Sequence, residues 1–347
     1  MAAVSTEAPN PPTASRLLSY REAIREALAG ELTRDPDVFI MGEDIGDYGG
    51  VFKVTDGLKA RFGPQRVLDT PISEAAIVGA AIGAAMVGKR PVVELMFMDF
   101  ALVAADQLFN QAAKMRYLSG DQFRVPLTIR TQQGVGNGTA AQHSQSFEAL
   151  FMHIPGFAIA LPSTPADAKG LLATAIRMDD PTVVIEHKAL YATKGEVPEG
   201  EHLVPFGRAA VRRRGTDVTI VSWSRTMQVC LAAADRLAER GVEAEVIDLR
   251  TLVPLDETTV LDSVSRTGAL VVAHEGHRNA GAGAEVAARI SEKAWHELRT
   301  SVRRVAGLDM PVPYASTLET AWLPGTDDVV AAALATVDRG AGAGHPA

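Results

Sequence analysis

The stretch from Asp69 to Phe100, DTPISEAAIVGAAIGAAMVGKRPVVELMFMDF, decides how the chain is read. Residues 73–88 are small and apolar nearly all round a 3.6-residue period, which predicts a helix buried and pressed closely on a sheet. RPVVELMF at 90–97 is apolar on both faces over the length of a strand, as in a parallel sheet covered by helices on both sides. One charge, Glu74, opens the apolar helix. An acid there complements the helix dipole, which is ordinary capping chemistry. At the edge of a buried apolar layer it is also how a protein makes a proton-relay acid with a raised pKa. The residues alone leave both readings open.

Working outward, the same alternation of strand and helix recurs. Strands are expected at 37–44, 90–97, 125–134, 157–163 and 181–190, with helices at 73–88, 101–118 and 164–178, the last opening on Thr164 and Pro165. A Gly/Pro/Glu-rich stretch at 194–207 reads as a linker. Beyond it, strands at 217–224, 243–254 and 268–276, each followed by a helical segment, make a second α/β unit. The expected division is a disordered lead at 1–16, a first domain at 17–193, the linker, a second domain at 208–338 and a mobile tail at 339–347.

Composition narrows the classes of function. The 347 residues suggest two domains at roughly 150 residues each. A net charge of −8 without a basic tract argues against nucleic acid as the main partner. Cys230 is the single cysteine, which excludes a disulfide framework or a cysteine zinc site and fits a reducing cytoplasm. No transmembrane span or signal peptide is expected, since the apolar stretches are short and broken by charge.

The motifs narrow it further. NAGAGAEVAARI at 279–290 fails as a dinucleotide fingerprint, because Val286 stands where the third glycine belongs; it reads as a Gly-rich turn into a helix. HEGH at 274–277 follows a strand, so a strand-end loop or an interface is a better reading than a metal site. No nucleophile elbow occurs. GVGNGTAAQHSQS at 134–146 is different: a Gly-rich loop directly after a strand, where α/β sheets place ligands, carrying His143 among small polar residues.

Taken with DQLFNQAAKMRY, AAQHSQSFEALFMHIPG, LPSTPADAKGLL, EHKALY and VIDLRTLVPLD, the Asp69–Phe100 stretch resembles the beta subunit of the thiamine-diphosphate-dependent first component of 2-oxoacid dehydrogenase complexes. Pyruvate, branched-chain and acetoin enzymes belong to that family. The resemblance runs in order from Ser19 to Asp328. It implies two three-layer α/β/α domains, a transketolase-like pyrimidine-binding domain and a transketolase C-terminal-like domain. It also implies decarboxylation of a 2-oxo acid and acyl transfer to the lipoyl group of a second-component acyltransferase, with acetoin cleavage as the alternative and a non-catalytic assembly subunit as a rival.

The resemblance also distributes roles. Glu74 takes that of the glutamate that hydrogen-bonds the cofactor's aminopyrimidine ring, and Phe100 that of the aromatic stacked on it. His143 takes that of the active-site histidine near the reacting carbon or the lipoyl group, stabilising charge or moving a proton. Leu127, Ala175, Ile176, Met178 and Asp180 fall where some relatives bind a structural potassium ion, although Met178 replaces an acidic residue and thioether is a poor ligand for a hard cation. The family's magnesium and diphosphate motif, GDG, is absent, the nearest string being Thr55-Asp56-Gly57. Half an active site is therefore expected here, with magnesium held by an alpha subunit in an alpha2-beta2 assembly. The chain's length likewise covers two family domains and leaves none for the diphosphate.

Overall fold

The computed structural model describes residues 14–136 and 138–337; the tail at 339–347 and most of the lead at 1–16 lie outside the described residues. In chain order the strands are β1 (Ser15–Ser19), β2 (Val38–Gly42), β3 (Val67–Asp69), β4 (Arg90–Leu95), β5 (Thr128–Gln133), β6 (Ala158–Ala160) and β7 (Thr182–His187). They continue with β8 (Lys194–Pro198), β9 (Ala210–Arg213), β10 (Val218–Ser222), β11 (Ala244–Asp248), β12 (Thr251–Val253), β13 (Leu270–His277) and β14 (Arg303–Gly307). One sheet has seven strands in the order β12-β6-β7-β5-β4-β2-β3, and a second has five in the order β14-β13-β10-β11-β9. Apart from β12 in the first and β9 in the second, neighbours run parallel. The expected α/β architecture is what forms, because strands apolar on both faces need helices on both faces.

The order of the first sheet reverses between β2 and β4. After β2 the chain adds β3 on one side, then crosses to place β4 on the other. The two crossovers leave on opposite sides and open a crevice at the carboxyl ends of these strands. Glu43 follows β2, Phe97 follows β4, the 134–146 loop follows β5 and Lys188 follows β7, so one edge of the sheet gathers the groups the sequence scatters.

Helix Glu74–Met86 lies against β4, burying Ile77, Val78, Ala81, Ile82 and Ala85. Its opposite face, Ala75, Ala76, Ala80 and Gly83, stays exposed, so the helix buries one side rather than its whole circumference. Residues 101–118, expected as one helix, divide into a tight turn at Met98–Leu102, a wide-pitched segment at Asp106–Ala112 and a short helix at Met115–Leu118. The wide pitch is visible where Ala113 N–H bonds the Leu108 carbonyl, five residues back, at 3.1 Å. That extra residue per turn keeps Leu108, Ala112 and Ala113 all in the core.

The expected linker begins as structure. Lys194–Pro198 pairs antiparallel with Ser15–Ser19, fastening the start of the described chain to the end of the first domain. The reason lies across the molecule: Gly195 packs on Pro165, and Lys169 Nζ donates to the Pro198 carbonyl at 2.7 Å. The single strand expected at 243–254 also divides. Arg250 adopts φ +60, its N–H donating to Asp248 Oδ1 at 3.1 Å, and the bend carries Thr251–Val253 out of the second sheet to pair with β6 in the first. One apolar cluster therefore runs from Ile129 and Ile185 through Phe151, Phe157 and Ile159 to Trp223, Leu252 and Val272. The two sheets share a core rather than hanging from a tether.

Candidate active site

Three aromatic rings surround each other at the mouth of the crevice. His143 meets Phe97 edge-on with ring centres 4.9 Å apart and Phe100 edge-on at 5.3 Å, while the two phenylalanines are 5.7 Å apart. Phe52 extends the wall, 6.0 Å from Phe97 and 5.0 Å from Tyr191. Edge-to-face contacts of this kind hold aromatic groups in fixed relative orientation. His143 and Phe100, picked out separately in the sequence, are thus neighbours. Phe97 is buried and is also a ring against which His143 packs. The His143 ring nitrogens make no hydrogen bond among the described residues and remain available to a ligand.

Glu74 stands as the first residue of its helix, 6% exposed, and its carboxylate has no hydrogen-bond partner among the described residues. Its recorded neighbour is Glu43, whose carboxyl lies above the ordinary value first because it is buried and then because the charges of Glu74, Asp44 and Glu94 oppose its ionisation. Glu43 went unnoticed in the sequence. Its signal was there, an acid directly after an apolar strand that points at a sheet's carboxyl edge.

Beneath the aromatic wall lies a saturated ionic network. Arg130, 1% exposed, donates to Glu186 at 2.7 and 2.9 Å and to Glu94 at 2.6 Å; the Tyr191 hydroxyl lies 2.7 Å from both Glu186 and the Gln132 side-chain carbonyl, to one of which it donates. Burial holds the Glu186 carboxyl above its ordinary value despite these partners. Every long polar side chain here is locked, so the floor of the crevice cannot adapt to what binds above it.

The loop that carries His143 is held from several sides, one of them Asp99, which accepts from the Gln145 N–H at 3.4 Å and from its side-chain amide at 2.8 Å. Lys188 Nζ, on a side chain 4% exposed, donates to the His143 carbonyl at 2.6 Å, to Ser144 Oγ at 3.3 Å and to Thr139 Oγ1. Glu275 accepts from the Val135 N–H, from His187 Nε2 at 2.9 Å and from Arg225 at 3.3 Å, and Glu319 accepts from the Gly138 N–H at 3.3 Å. HEGH is therefore part of strand β13 and of the seam between the domains, with its His274 stacked on Trp223 at 5.2 Å. Cys230 is buried, which pushes its thiol up to about 12 and leaves it unreactive.

The residues read as potassium ligands are differently occupied. Arg90 Nη1 donates to the carbonyls of Ile176 at 3.1 Å and Met178 at 3.0 Å, and its Nη2 to Asp179 at 2.7 Å. The Leu127 carbonyl accepts from Thr182, the Ala175 carbonyl from Met178, and Asp180 from Arg116 at 2.6 Å. A guanidinium, permanently charged and planar, already satisfies the carbonyls a cation would need. These carbonyls are already engaged, which makes the set a poor fit for potassium. Glu74 and Phe100, by contrast, fit the pyrimidine half of thiamine diphosphate: an unpaired buried carboxylate for a ring nitrogen and a half-buried aromatic face for the ring.

Comparison with known proteins follows the same division. Residues 16–194 match the family model "Transketolase, pyrimidine binding domain" and residues 207–329 match "Transketolase, C-terminal domain". The chain is 48% identical over 336 residues to the acetoin:2,6-dichlorophenolindophenol oxidoreductase subunit beta of Cupriavidus necator, covering 94% of this chain and 99% of that one. It is 44% identical to the 2-oxoisovalerate dehydrogenase subunit beta of Bacillus subtilis and to the pyruvate dehydrogenase E1 component subunit beta of Rickettsia conorii, covering in each case 91% of this chain and 97% of the other. Among solved structures, a split-gene transketolase described as an inactive beta4 tetramer superposes with a TM-score of 0.76 at 24% identity, covering 92% of this chain and 98% of that one, which shows the shared fold.

Proposed function

Since the chain belongs to the family of beta subunits of the thiamine-diphosphate-dependent first component of 2-oxoacid dehydrogenase complexes, we propose that it forms the pyrimidine-binding half of such an active site. Its partner is an alpha subunit supplying the magnesium and diphosphate grip, in an alpha2-beta2 assembly in the cytoplasm. The observation that carries this reading is Glu74, a buried carboxylate without a partner at the edge of the crevice.

When bound, thiamine diphosphate supplies a thiazolium carbon that becomes a nucleophile toward a 2-oxo acid. Glu74 would accept a hydrogen bond from the aminopyrimidine ring nitrogen and so would favour the tautomer whose exocyclic nitrogen is able to take up a proton. Phe100 would support the ring face, and Phe97 packs edge-on against His143 and restrains its ring. With two free ring nitrogens, His143 can donate to a carboxylate or move a proton when the acyl group passes to lipoyl on the second-component acyltransferase. The exposed Ala75, Ala76, Ala80 and Gly83 offer a flat face on which another subunit's backbone can approach closely.

Two substrate classes follow from the relatives. A 2-oxo acid, pyruvate or a branched one, is the principal reading; acetoin is the second, favoured by the 48% identity to the acetoin oxidoreductase subunit against 44% for the others. Assaying the chain with a GDG-bearing alpha subunit on pyruvate, branched 2-oxo acids and acetoin separates them. Glu74→Gln keeps the size of the side chain and removes the charge, and is expected to lower that activity about 100-fold or more. Retention of more than about a tenth would contradict the proton-relay role. Tight binding of the cofactor and magnesium by this chain alone would contradict the half-site.

A further inference from the structure

We infer that Lys188 is a positioning residue: its buried ammonium fixes the loop that presents His143, and Glu275 anchors the same loop at its other end. The inference deepens the reading above and rests on it only for what His143 does.

Lys188 stands at the end of β7, where burial has to be offset by hydrogen bonds. All three recorded acceptors of its ammonium lie between residues 139 and 144, matching its three donors. Those acceptors also bind one another, Thr139 Oγ1 lying 2.9 Å from Ser144 Oγ and donating to the His143 carbonyl at 3.2 Å. Between them Ala140 adopts φ +57, a conformation a residue with a side chain keeps only when its surroundings impose it. The His143 N–H closes the turn on the Ala140 carbonyl at 3.5 Å. The 139–144 turn of the loop is thus organised around one cation.

The other end is equally specified. Gly134 has φ +97, and a Cβ there would lie 1.9 Å from His187 Nε2, so the chain passes His187 too closely for any side chain. His187 Nδ1 accepts from the Ala189 N–H at 3.1 Å, which leaves Nε2 to donate to Glu275, and Glu275 in turn accepts from Val135. Consecutive residues of the first domain, His187 and Lys188, therefore address the two ends of the loop, one of them through a carboxylate of the second domain. Past His143 the loop meets a third hold, Asp99, whose carboxylate accepts from the Gln145 N–H at 3.4 Å and from its side-chain amide at 2.8 Å, while Phe97 and Phe100 meet the His143 ring.

The test is amide hydrogen exchange on the assembled complex with its alpha subunit, read alongside activity. Lys188→Met should raise exchange of the His143 amide by about tenfold or more, since hydrogen bonds to a charged group are lost, while the Gln145 amide, held by Asp99, and those of β5 and β7 keep their protection. Glu275→Gln should raise exchange at Val135 and leave residues 139–144 protected. His143→Ala should leave loop exchange unchanged and remove activity. If His143→Ala stays active while Lys188→Met opens the loop, the functional reading of His143 fails and the positioning role stands. Unchanged loop exchange in Lys188→Met overturns the positioning role. Should that variant not fold, Lys188→Gln, which keeps two donors and loses the charge, carries the same expectation, and unchanged exchange there overturns it too.

Discussion

The carboxyl edges of the two sheets do different work. That of the seven-stranded sheet carries Glu43, Glu74, Phe97, Phe100, His143 and Lys188, a concentration of ionisable and aromatic groups over an ionic floor. That of the five-stranded sheet carries Arg225, Asp248, Arg250 and Glu275, and most of these reach into the first domain: Arg250 to Asp167 at 2.8 Å, Asp248 to Ser163, Glu275 to His187 and Val135. Similar layers thus divide the labour. One holds chemistry and the other holds the first in place.

Their interiors differ in the same sense. The first sheet buries the Arg130 network, whereas the core cluster on one face of the second is built from Val, Ile, Leu, Ala, Met and Cys side chains. The largest effect that would sharpen the contrast is therefore Arg130→Met. It leaves Glu94 and Glu186 buried without their counter-charge, which typically costs about 3–5 kcal/mol. Urea unfolding of the chain should show a loss in that range. A loss under about 1 kcal/mol would mean that water or protonation relieves the carboxylates and that the floor is less rigid than its hydrogen bonds indicate.

How much of this was legible in the sequence follows from how local each signal is. The strands and the two-domain order rest on runs that each sit on one segment of chain, whereas the contact between Phe100 and His143, 5.3 Å between ring centres, needed the fold. So did the Lys188 and Glu275 anchors, since they join residues 44 to 140 positions apart. A trace existed in VVIEHKAL, where Glu186, His187 and Lys188 interrupt an apolar strand; charges there are buried at a cost that only partners can offset. Naming the partners needed the fold. The break at Arg250 was hidden for the same reason, because 243–254 reads as a continuous strand until β6 claims its second half. The partner of two of the carbonyls read as potassium ligands is a distant residue as well: Arg90 lies 86 and 88 positions from the two it bonds.

A second, smaller effect probes the seam. Burial would raise the Glu275 carboxyl, but His187, Arg225 and the Val135 N–H outweigh it and hold it below the ordinary value of 4.5. A carboxylate whose folded-state pKa is depressed stabilises the fold fully above its unfolded value and loses that contribution as pH falls through the folded one. The chain's stability should accordingly decline below pH 4.5, and Glu275→Gln should remove that part of the decline while costing about 1.5–3 kcal/mol at neutral pH. Parallel acid profiles for the two proteins would show that the seam is held without this charge.

The smallest effect belongs inside the second sheet. Thr219, fully buried on β10, shares its hydroxyl with Ser263 and Thr267 at 2.7 Å each, and Thr267 also donates to the Ala269 carbonyl at 3.2 Å. Thr219→Val keeps the shape and removes the hydroxyl. Ser263 then loses its recorded partner, while Thr267 keeps one, so the cost should be near that of a single neutral hydrogen bond, about 1 kcal/mol. Because no charge is uncovered and the sheet stands away from the crevice, turnover should be unchanged even as the unfolding midpoint falls. A turnover loss larger than the stability loss would mean that the second sheet shapes the crevice from within, and the division of labour between the two edges would not hold.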